Sequence, residues 1–306
     1  MANETLEDII QNVNDPGQPG ETTSDDVLKS RVIREVIYRE TDLIAVGTDI
    51  LPERNFDSLD IEFQFPSEIN AEYPVGENSI ADRSKVTWRE MGISLHQAEA
   101  RFMITDMARL REQDSLQSDI STQRAAEAIA QEKDYNILNV LRQGGPEQNN
   151  IELDRSSNEG WDQDDADIEN NVIQAWNNIF DHSNVSENDI ENSHLVVPSS
   201  VFGQLHSLQL INNVQQNLRD YIESSYGLNI HFTRTISDDA ILAVEGEQTG
   251  VHGVLQTDDI PMVETDRVMG RGDDVLTRQF FNTGIMEDSG LDSQNFRISV
   301  IKNVAG

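Results

Sequence analysis

The segment from Asp119 to Gly145 decides the fold class, and it reads DISTQRAAEAIAQEKDYNILNVLRQGG. Apolar residues recur along it at spacings of three and four, which predicts one long amphipathic helix over residues 119–143. The predicted buried face comprises Ala125, Ala128, Ile129, Tyr135, Leu138 and Leu141. Gly144, Gly145 and Pro146 end the helix, because glycine favours the C-terminal cap and proline cannot continue a helix.

Two segments on the N-terminal side of this helix alternate between apolar and polar residues, which predicts two strands. In the first strand Leu59, Ile61, Phe63 and Phe65 share one face. The second strand covers residues 85–91 and contains Val86 and Trp88. The loop between them, from Pro66 to Ser84, is too polar to be buried. We therefore expect residues 59–92 to form a long projecting hairpin.

On the C-terminal side of the long helix, a helical region precedes a series of strands. A helix is predicted over about residues 165–180, with an apolar stripe of Ile168, Val172, Ala175, Trp176 and Ile179. A buried strand over 194–197 precedes helices near 201–208 and 213–224. Further strands are predicted over 229–233, 240–244, 250–256, 277–286 and 295–300. This order predicts an α+β fold without internal repeats.

The charge of the chain is strongly acidic: 56 acidic and 22 basic residues give a net charge of −34. The acidic residues are spread along the whole chain, and only four of the basic residues are lysines. Together these features indicate a protein adapted to molar salt, where a Debye length of ~3 Å screens the self-repulsion. The same charge argues against a protein that binds free nucleic acid.

Several classes of function are excluded or disfavoured by what the sequence lacks. Cysteine is absent, which excludes disulfides, thiol catalysis and cysteine metal sites. There is neither a secretory signal nor an apolar run long enough for a membrane span, so no membrane partner is expected. Phosphate-loop, dinucleotide-binding, serine-hydrolase and zinc-protease motifs are also absent. We expect no enzyme activity and no cofactor.

Possible metal ligands in the sequence are weak. His194 and His206 could meet across a strand–helix turn, but two histidines alone do not predict a metal site. The acidic residues Asp162, Asp164, Asp165 and Asp167 imitate the spacing of a calcium loop. The central glycine and terminal glutamate of such a loop are missing, so salt cations bound at acidic surfaces are the only ions expected.

The only local concentration of basic residues contains Arg267, Arg271 and Arg278. These arginines either pair with acidic residues of a neighbouring subunit or offset their own neighbours Asp266, Asp273 and Asp274. The sequence leaves both interpretations open.

The order of arm, projecting hairpin, long helix, helical α/β segment and closing strands resembles the Hong Kong 97 phage capsid fold, which tailed viruses and encapsulins share. The most specific stretch is 86–145, where Val-Thr-Trp88 closes the hairpin, a strand ends at Phe102-Met-Ile-Thr-Asp106, and Glu132-Lys-Asp-Tyr135 lies in the long helix. The resemblance implies an N-terminal arm (1–30), the start of a peripheral domain (31–58), an extended loop (59–92), the peripheral domain with its spine helix (93–160), an axial domain (161–276) and closing peripheral strands (277–306).

The resemblance also implies a function. A protein of this family is a major capsid protein that assembles through pentamers and hexamers into an icosahedral shell around double-stranded DNA. The acidic composition adds the expectation of a haloarchaeal tailed virus. The implied partners are further copies of the chain, a portal, minor capsid or scaffold proteins, and DNA enclosed without sequence-specific binding. The implied location is the virion, with assembly in the host cytoplasm.

The assembly residues expected from this interpretation lie in two places. Pro66, Tyr73, Pro74, Lys85 and Trp88 belong to the hairpin, and Arg267, Arg271 and Arg278 form the basic cluster. Some members of the family form an isopeptide cross-link, for which Lys85 and Asn282 are a conceivable pair. Two alternatives stay open: an encapsulin-like nanocompartment shell, and a halophilic soluble enzyme or binding protein.

Overall fold

The computed structural model describes residues 46–66, 88–107, 114–157, 159–163, 166–182, 185, 187–211, 214–256, 262–268, 271–287 and 294–305. Its helices are α1 (Gly47–Ile50), α2 (Asp114–Gly144), α3 (Ile168–His182), α4 (Phe202–Leu205) and α5 (Leu218–Tyr226). Its strands are β1 (Glu53–Phe56), β2 (Asp60–Pro66), β3 (Trp88–Ser94), β4 (His96–Thr105), β5 (Ile151–Glu152), β6 (Ser193–Pro198), β7 (Leu208–Ile211), β8 (Val214–Asn217), β9 (Asn229–Thr233), β10 (Ala240–Val244), β11 (Gly250–Leu255), β12 (Met262–Val268), β13 (Gly272–Ile285) and β14 (Ile298–Lys302). The predicted α+β class is confirmed. Among the described helices, none has the length and apolar composition to cross a membrane.

The described part of the chain divides into two compact units. The first unit contains residues 96–134 and 254–281, and the second contains residues 46–95, 135–253 and 282–306. The predicted boundaries of the extended loop and of the peripheral and axial domains stay predictions. The predicted arm over 1–30 lies outside the described residues.

The second unit is built on a five-stranded mixed sheet in the order β5-β14-β10-β6-β9. β6 is parallel to β9 and β5 to β14, whereas β10 runs antiparallel to both of its neighbours. Every residue of β6 and β10 is buried. Continuous burial of this kind is typical of strands that are covered on both faces.

Alternate residues of β10 enter two different cores. Ala240, Leu242 and Val244 join a core that α3 and α5 also line. Ile241 and Ala243 join a second core with α1 and the C-terminal half of α2. Because successive side chains of a strand point to opposite faces, one unbroken apolar segment fills both cores.

The first unit contains antiparallel strands β4, β12 and β13, with β13 paired to both of the others. Its core consists of Ala126, Ile129, Val254 and Phe281, with Ala98 and Ala100 packed against them. Gly272, which begins β13, has a φ of 144°, and a Cβ there would collide with the carbonyl oxygen of Ile104. Only glycine fits this backbone, so Gly272 sets where β13 begins to pair with β4.

The predicted long helix is confirmed, but it begins at Asp114 rather than at residue 119. Ala125, Ile129, Leu138 and Leu141 are buried as predicted. Ala128 and Tyr135 were assigned to the buried face wrongly, because Ala128 is exposed and Tyr135 is 52% exposed. The buried line instead includes Ala126, Ala130 and Ile137. The buried residues recur along α2 at spacings of three and four, and Ala128 and Tyr135 lie on the opposite side of the helix.

The hairpin strands are confirmed as an antiparallel pair, β2 with β3, although the second strand ends at Ser94. Leu59 was assigned to the buried face wrongly, because its side chain is 47% exposed. Leu59 precedes the strand, and its carbonyl oxygen accepts a hydrogen bond of 2.7 Å from the Leu95 amide.

The helix predicted over 213–224 is wrong in its first turn, where residues 214–217 form β8 and pair with β7. The helix itself begins at Leu218. Its start is set by Asn217, whose side chain accepts a hydrogen bond of 2.7 Å from the Asp220 amide, as an N-terminal cap does. The helix predicted near 201–208 is likewise shorter, ending at Leu205.

Candidate assembly surfaces

The root of the hairpin is fixed to the second unit. Ile61 and Ile93 lie opposite each other in the β2–β3 pair, and both are buried. The Phe63 ring meets the Phe56 ring edge-on, with centroids 5.6 Å apart. These contacts give the two strands a rigid base.

The five hairpin residues expected to take part in assembly are only partly placed. Pro66 and Trp88 face each other as the last pair of the β2–β3 ladder. Tyr73, Pro74 and Lys85 lie outside the described residues. The assembly role of all five stays a prediction.

Arg267 is engaged within its own chain. Its Nη1 donates a hydrogen bond of 2.9 Å to Asp273, and its Nη2 donates one of 2.6 Å to Asp106. Both hydrogen bonds raise the pKa of Arg267 above its usual value, and the hydrogen bond to Asp273 has the larger effect. Arg267 therefore offsets neighbouring acidic residues, as one of the two interpretations proposed.

Arg278 is also engaged within its chain, across both neighbouring strands of β13. Its Nη1 donates a hydrogen bond of 3.1 Å to Glu264 on β12. Its Nε lies 3.8 Å from a carboxylate oxygen of Glu99 on β4. Cross-strand pairs of opposite charge each contribute a few tenths of a kcal/mol to about 1 kcal/mol, so Arg278 ties the three strands together.

Arg101 on β4 belongs to the same arrangement, although no pattern in the sequence singles it out. Its Nε lies 2.9 Å from each carboxylate oxygen of Asp274 on β13. The hydrogen bond from Arg101 lowers the pKa of Asp274 below its ordinary value. Arg101 and Asp274 are 173 residues apart in the chain, so only the strand pairing brings them together.

Arg271 differs from the other two arginines of the predicted cluster. Its side chain is exposed, and in the described ranges it forms no ion pair. Its backbone is held by two hydrogen bonds to described residues: its amide donates to the Val268 carbonyl, and its carbonyl accepts from the Asp106 amide. Of the three arginines, Arg271 is the one whose charge is not already balanced by a described residue.

His194 pairs with His231 and not with His206, the partner that the sequence had left possible. His194 Nδ1 lies 2.9 Å from His231 Nε2, and His194 Nε2 lies 3.4 Å from Glu245. Burial has the largest effect on the pKa of His231 and lowers it, and electrostatic repulsion from His194 lowers it further. β6 and β9 are parallel neighbours, so a contact between elements distant in sequence creates this pair.

The acidic segment around 162–167 is used for local structure. Asp162 accepts a hydrogen bond of 2.9 Å from Arg155, and Asp167 accepts one of 3.3 Å from the Asn170 amide at the start of α3. Asp164 and Asp165 lie outside the described residues. Within the described ranges, no three His, Asp or Glu side chains converge as metal ligands. Cation binding at acidic surfaces stays a prediction.

Solved structures with the same fold come from phage capsids, a phage-related protein and a virus-like particle. The chain aligns with a virus-like particle from Pyrococcus furiosus at a TM-score of 0.57 and 12% identity, covering 89% of this chain and 98% of that one. It aligns with a phage-related protein from Bordetella bronchiseptica RB50 at a TM-score of 0.60 and 11% identity, covering 89% and 97%. For the capsid of Myoviridae phage XM1 the TM-score is 0.56 at 11% identity, covering 84% and 90%.

By sequence, neither a family model nor a curated protein matches the chain. At 10–13% identity the structural likeness is one of fold, and it extends over nearly the whole length of the similar chains. The chain therefore has the fold of phage capsid proteins.

Proposed function

We propose that this chain is the major capsid protein of a tailed virus. In this role it assembles through pentamers and hexamers into an icosahedral shell that encloses double-stranded DNA. The observation that carries the proposal is the extent of the fold similarity, which reaches 98% of the chain of one virus-like particle. A match over a whole shell subunit is more specific than a match to one shared motif.

The composition supports a virus of a halophilic archaeal host. With a net charge of −34, copies packed side by side would repel one another strongly at low ionic strength. At about 1 M salt the Debye length falls to ~3 Å, and this repulsion becomes short-ranged. The shell would then form in the salt-rich host cytoplasm and remain intact in the virion.

The same charge suits a container for DNA. A shell whose subunits each carry 56 acidic and 22 basic residues has little affinity for phosphate, so it can enclose a genome without binding it tightly. Further partners in this role are a portal and minor capsid or scaffold proteins. The role is structural and needs neither a catalytic site nor a cofactor.

The arginines of the first unit bear on how subunits could meet. Arg101, Arg267 and Arg278 are each paired with an acidic residue of another strand or of the adjoining segment. Of the three arginines of the basic cluster, Arg271, exposed and without an ion pair in the described ranges, is the one best placed to meet an acidic neighbour. Tyr73, Pro74 and Lys85 in the hairpin remain candidates for contact with an adjacent subunit.

Sedimentation of the purified protein tests the proposal. In molar potassium chloride the chain is expected to sediment as rings and megadalton particles, and a monomer at every concentration would contradict a shell function. The main alternative is a cellular nanocompartment shell. Genes for a portal and a terminase beside the coding gene support the virus, whereas a neighbouring cargo enzyme supports the compartment.

A further inference from the structure

Two histidines of the second unit face each other across the parallel strand pair of β6 and β9. His194 Nδ1 lies 2.9 Å from His231 Nε2, whereas the two ring centroids are 5.1 Å apart and the ring planes differ by 23°. Because the centroids are much farther apart than the nitrogens, the two nitrogens lie between the rings and point at each other. This is the geometry of a hydrogen bond in which one proton lies between two ring nitrogens.

The carboxylate of Glu245 determines which nitrogens carry protons when both rings are neutral. An ionised carboxylate can only accept, and His194 Nε2 lies 3.4 Å from a Glu245 oxygen, so Nε2 carries the proton of that ring. His194 Nδ1 is then an acceptor, and His231 Nε2 donates to it. One added proton can enter the pair, because a cationic ring still donates to a neutral one. A second added proton leaves a hydrogen on both facing nitrogens, and the hydrogen bond is lost.

The surroundings of the pair oppose the second proton. His194 is 6% exposed, and burial is the largest cause of the lowered pKa of His231. The charged groups that face His231 from other elements are Asp49 on α1 and Arg219 and Glu223 on α5. The two carboxylates favour a charged His231 ring, whereas the guanidinium and the second imidazole oppose it. The net effect is a lowered pKa, so the carboxylates do not compensate for burial.

The position of the pair in the sheet gives it a structural consequence. β9 stands at the end of the strand order β5-β14-β10-β6-β9, next to β6. His231 lies in the middle of β9, opposite Val196 in the parallel ladder. A strand at the end of a sheet has fewer backbone partners than a central one. A repulsion between the two rings therefore acts on the strand that is most easily separated from this sheet.

We propose that His194 and His231 form a pH-sensitive contact that holds β9 against β6 near neutral pH and releases it in mild acid. The inference concerns the single subunit and does not depend on the shell function. In the unfolded chain both histidines bind protons as the pH falls below their ordinary pKa of about 6.5. The folded pair accepts one added proton and resists the second, so the unfolded state binds more protons and stability decreases with falling pH. Above about pH 6.5 the difference in bound protons vanishes and the full stability is present.

Urea unfolding from about pH 8 to about pH 5, the range in which histidines titrate, tests the proposal in molar potassium chloride at a protein concentration too low for particles. The unfolding equilibrium constant of the wild type is expected to rise by up to about tenfold per pH unit below about pH 6.5, the effect of one proton. His231→Gln is expected to remove this rise, because a glutamine amide can donate the same hydrogen bond to His194 but does not titrate. His182→Gln removes an exposed histidine of the same unit and is expected to keep the wild-type pH dependence.

Hydrogen exchange of the wild type, followed by mass spectrometry, reports on β9 itself and decides the question if the variant does not fold. After correction for the intrinsic pH dependence of exchange, protection of the amides of Asn229–Thr233 is expected to fall about tenfold between about pH 7 and about pH 5.5. Strand β10 (Ala240–Val244), at the centre of the same sheet, is expected to keep its protection.

Each outcome decides for or against the histidine pair. The same pH dependence in the wild type and in His231→Gln overturns the proposal, and so does equal protection of β9 at both pH values. A pH dependence that disappears in His182→Gln assigns the effect to another histidine and overturns it as well. Any of these results leaves the shell function standing, since neither measurement requires particles. A chain that never assembles but loses β9 protection in acid contradicts the shell and supports the pair.

Discussion

Replacing Ile129 by aspartate is expected to disrupt the first unit, whereas the same change at the adjacent Ala128 is expected to be tolerated. Ile129 is 1% exposed and belongs to a core with Ala126, Val254 and Phe281. Ala128, one position earlier on α2, is exposed. The two variants add the same charge to the same helix, one on its buried face and one on its exposed face, and only Ile129→Asp also removes an apolar side chain from the core.

The expected cost at Ile129 is large relative to the stability of a domain. Removing the isoleucine side chain from the core loses about 1.5–3 kcal/mol of burial. A carboxyl group buried in its place has its pKa raised by up to about 3–5 units, so at pH 7 it folds largely protonated, and protonating it from an ordinary pKa of about 3.9 costs up to about 4 kcal/mol. The sum is comparable with the total stability of a domain, about 5–15 kcal/mol. At Ala128 the cost is the difference in helix propensity, about 0.7 kcal/mol.

Urea unfolding followed by far-UV circular dichroism measures the difference, with molar potassium chloride held constant. Urea is suitable because it is uncharged and leaves the ionic strength unchanged. If Ile129→Asp yields no soluble protein, Ile129→Val still reports on the site, with an expected loss of about 0.5–1.5 kcal/mol. A wild-type midpoint for Ile129→Asp, or an equal loss for Ala128→Asp, would refute the assigned face of α2.

Three further predictions concern salt, the hairpin and pH. Lowering the salt from about 1 M to about 0.01 M extends the Debye length from ~3 to ~30 Å, so repulsion between subunits is expected to dissociate the particles. Light scattering measures this dissociation, and particles that stay intact without divalent ions would contradict the prediction. Replacing residues 67–83 by a Gly-Asn turn is expected to leave a subunit that is folded by circular dichroism, because shortening a loop changes its closure entropy little. The same variant is expected to form no closed shells in electron microscopy, and normal shells would exclude an intersubunit role for the loop. Because Arg101 lowers the pKa of Asp274, the stabilisation by this pair is present above the ordinary aspartate pKa of about 3.9 and is lost as the pH falls through the lowered value. Arg101→Gln is expected to reduce this loss in urea midpoints measured on the acid side, and an unchanged pH profile would exclude the pair as its source.

The sequence pattern alone predicted the bounds of those helices and strands whose ends are marked by clear terminating residues. The strands Asn229–Thr233 and Ala240–Val244 have the bounds that their apolar residues predict. Gly227, with a φ of 68°, ends α5 just before the first of them. The apolar stripe of α3 is buried at Ile168, Val172, Ala175 and Ile179 for the same reason, since that helix packs on one core.

Local pattern failed where tertiary contacts decide the outcome. The buried face of α2 was misassigned at Ala128 and Tyr135, because alanines stand on both sides of this helix and alanine spacing alone does not show which side is covered. The partners of Arg101 and His194 could not be predicted from the sequence either, because they depend on which strands pair. Arg101 finds Asp274, and His194 finds His231, through strand pairing between segments far apart in sequence. The periodicity of a single segment does not show which other strand it pairs with, or in which register.

Electron microscopy of the purified chain in molar potassium chloride tests the central claim most directly. The proposed function predicts closed particles of uniform size with icosahedral symmetry, in which the subunits group in fives and sixes. Image classes of the rings would show this grouping even if closure is incomplete. A field of monomers or of shapeless aggregates, obtained from protein that circular dichroism shows to be folded, would contradict the account.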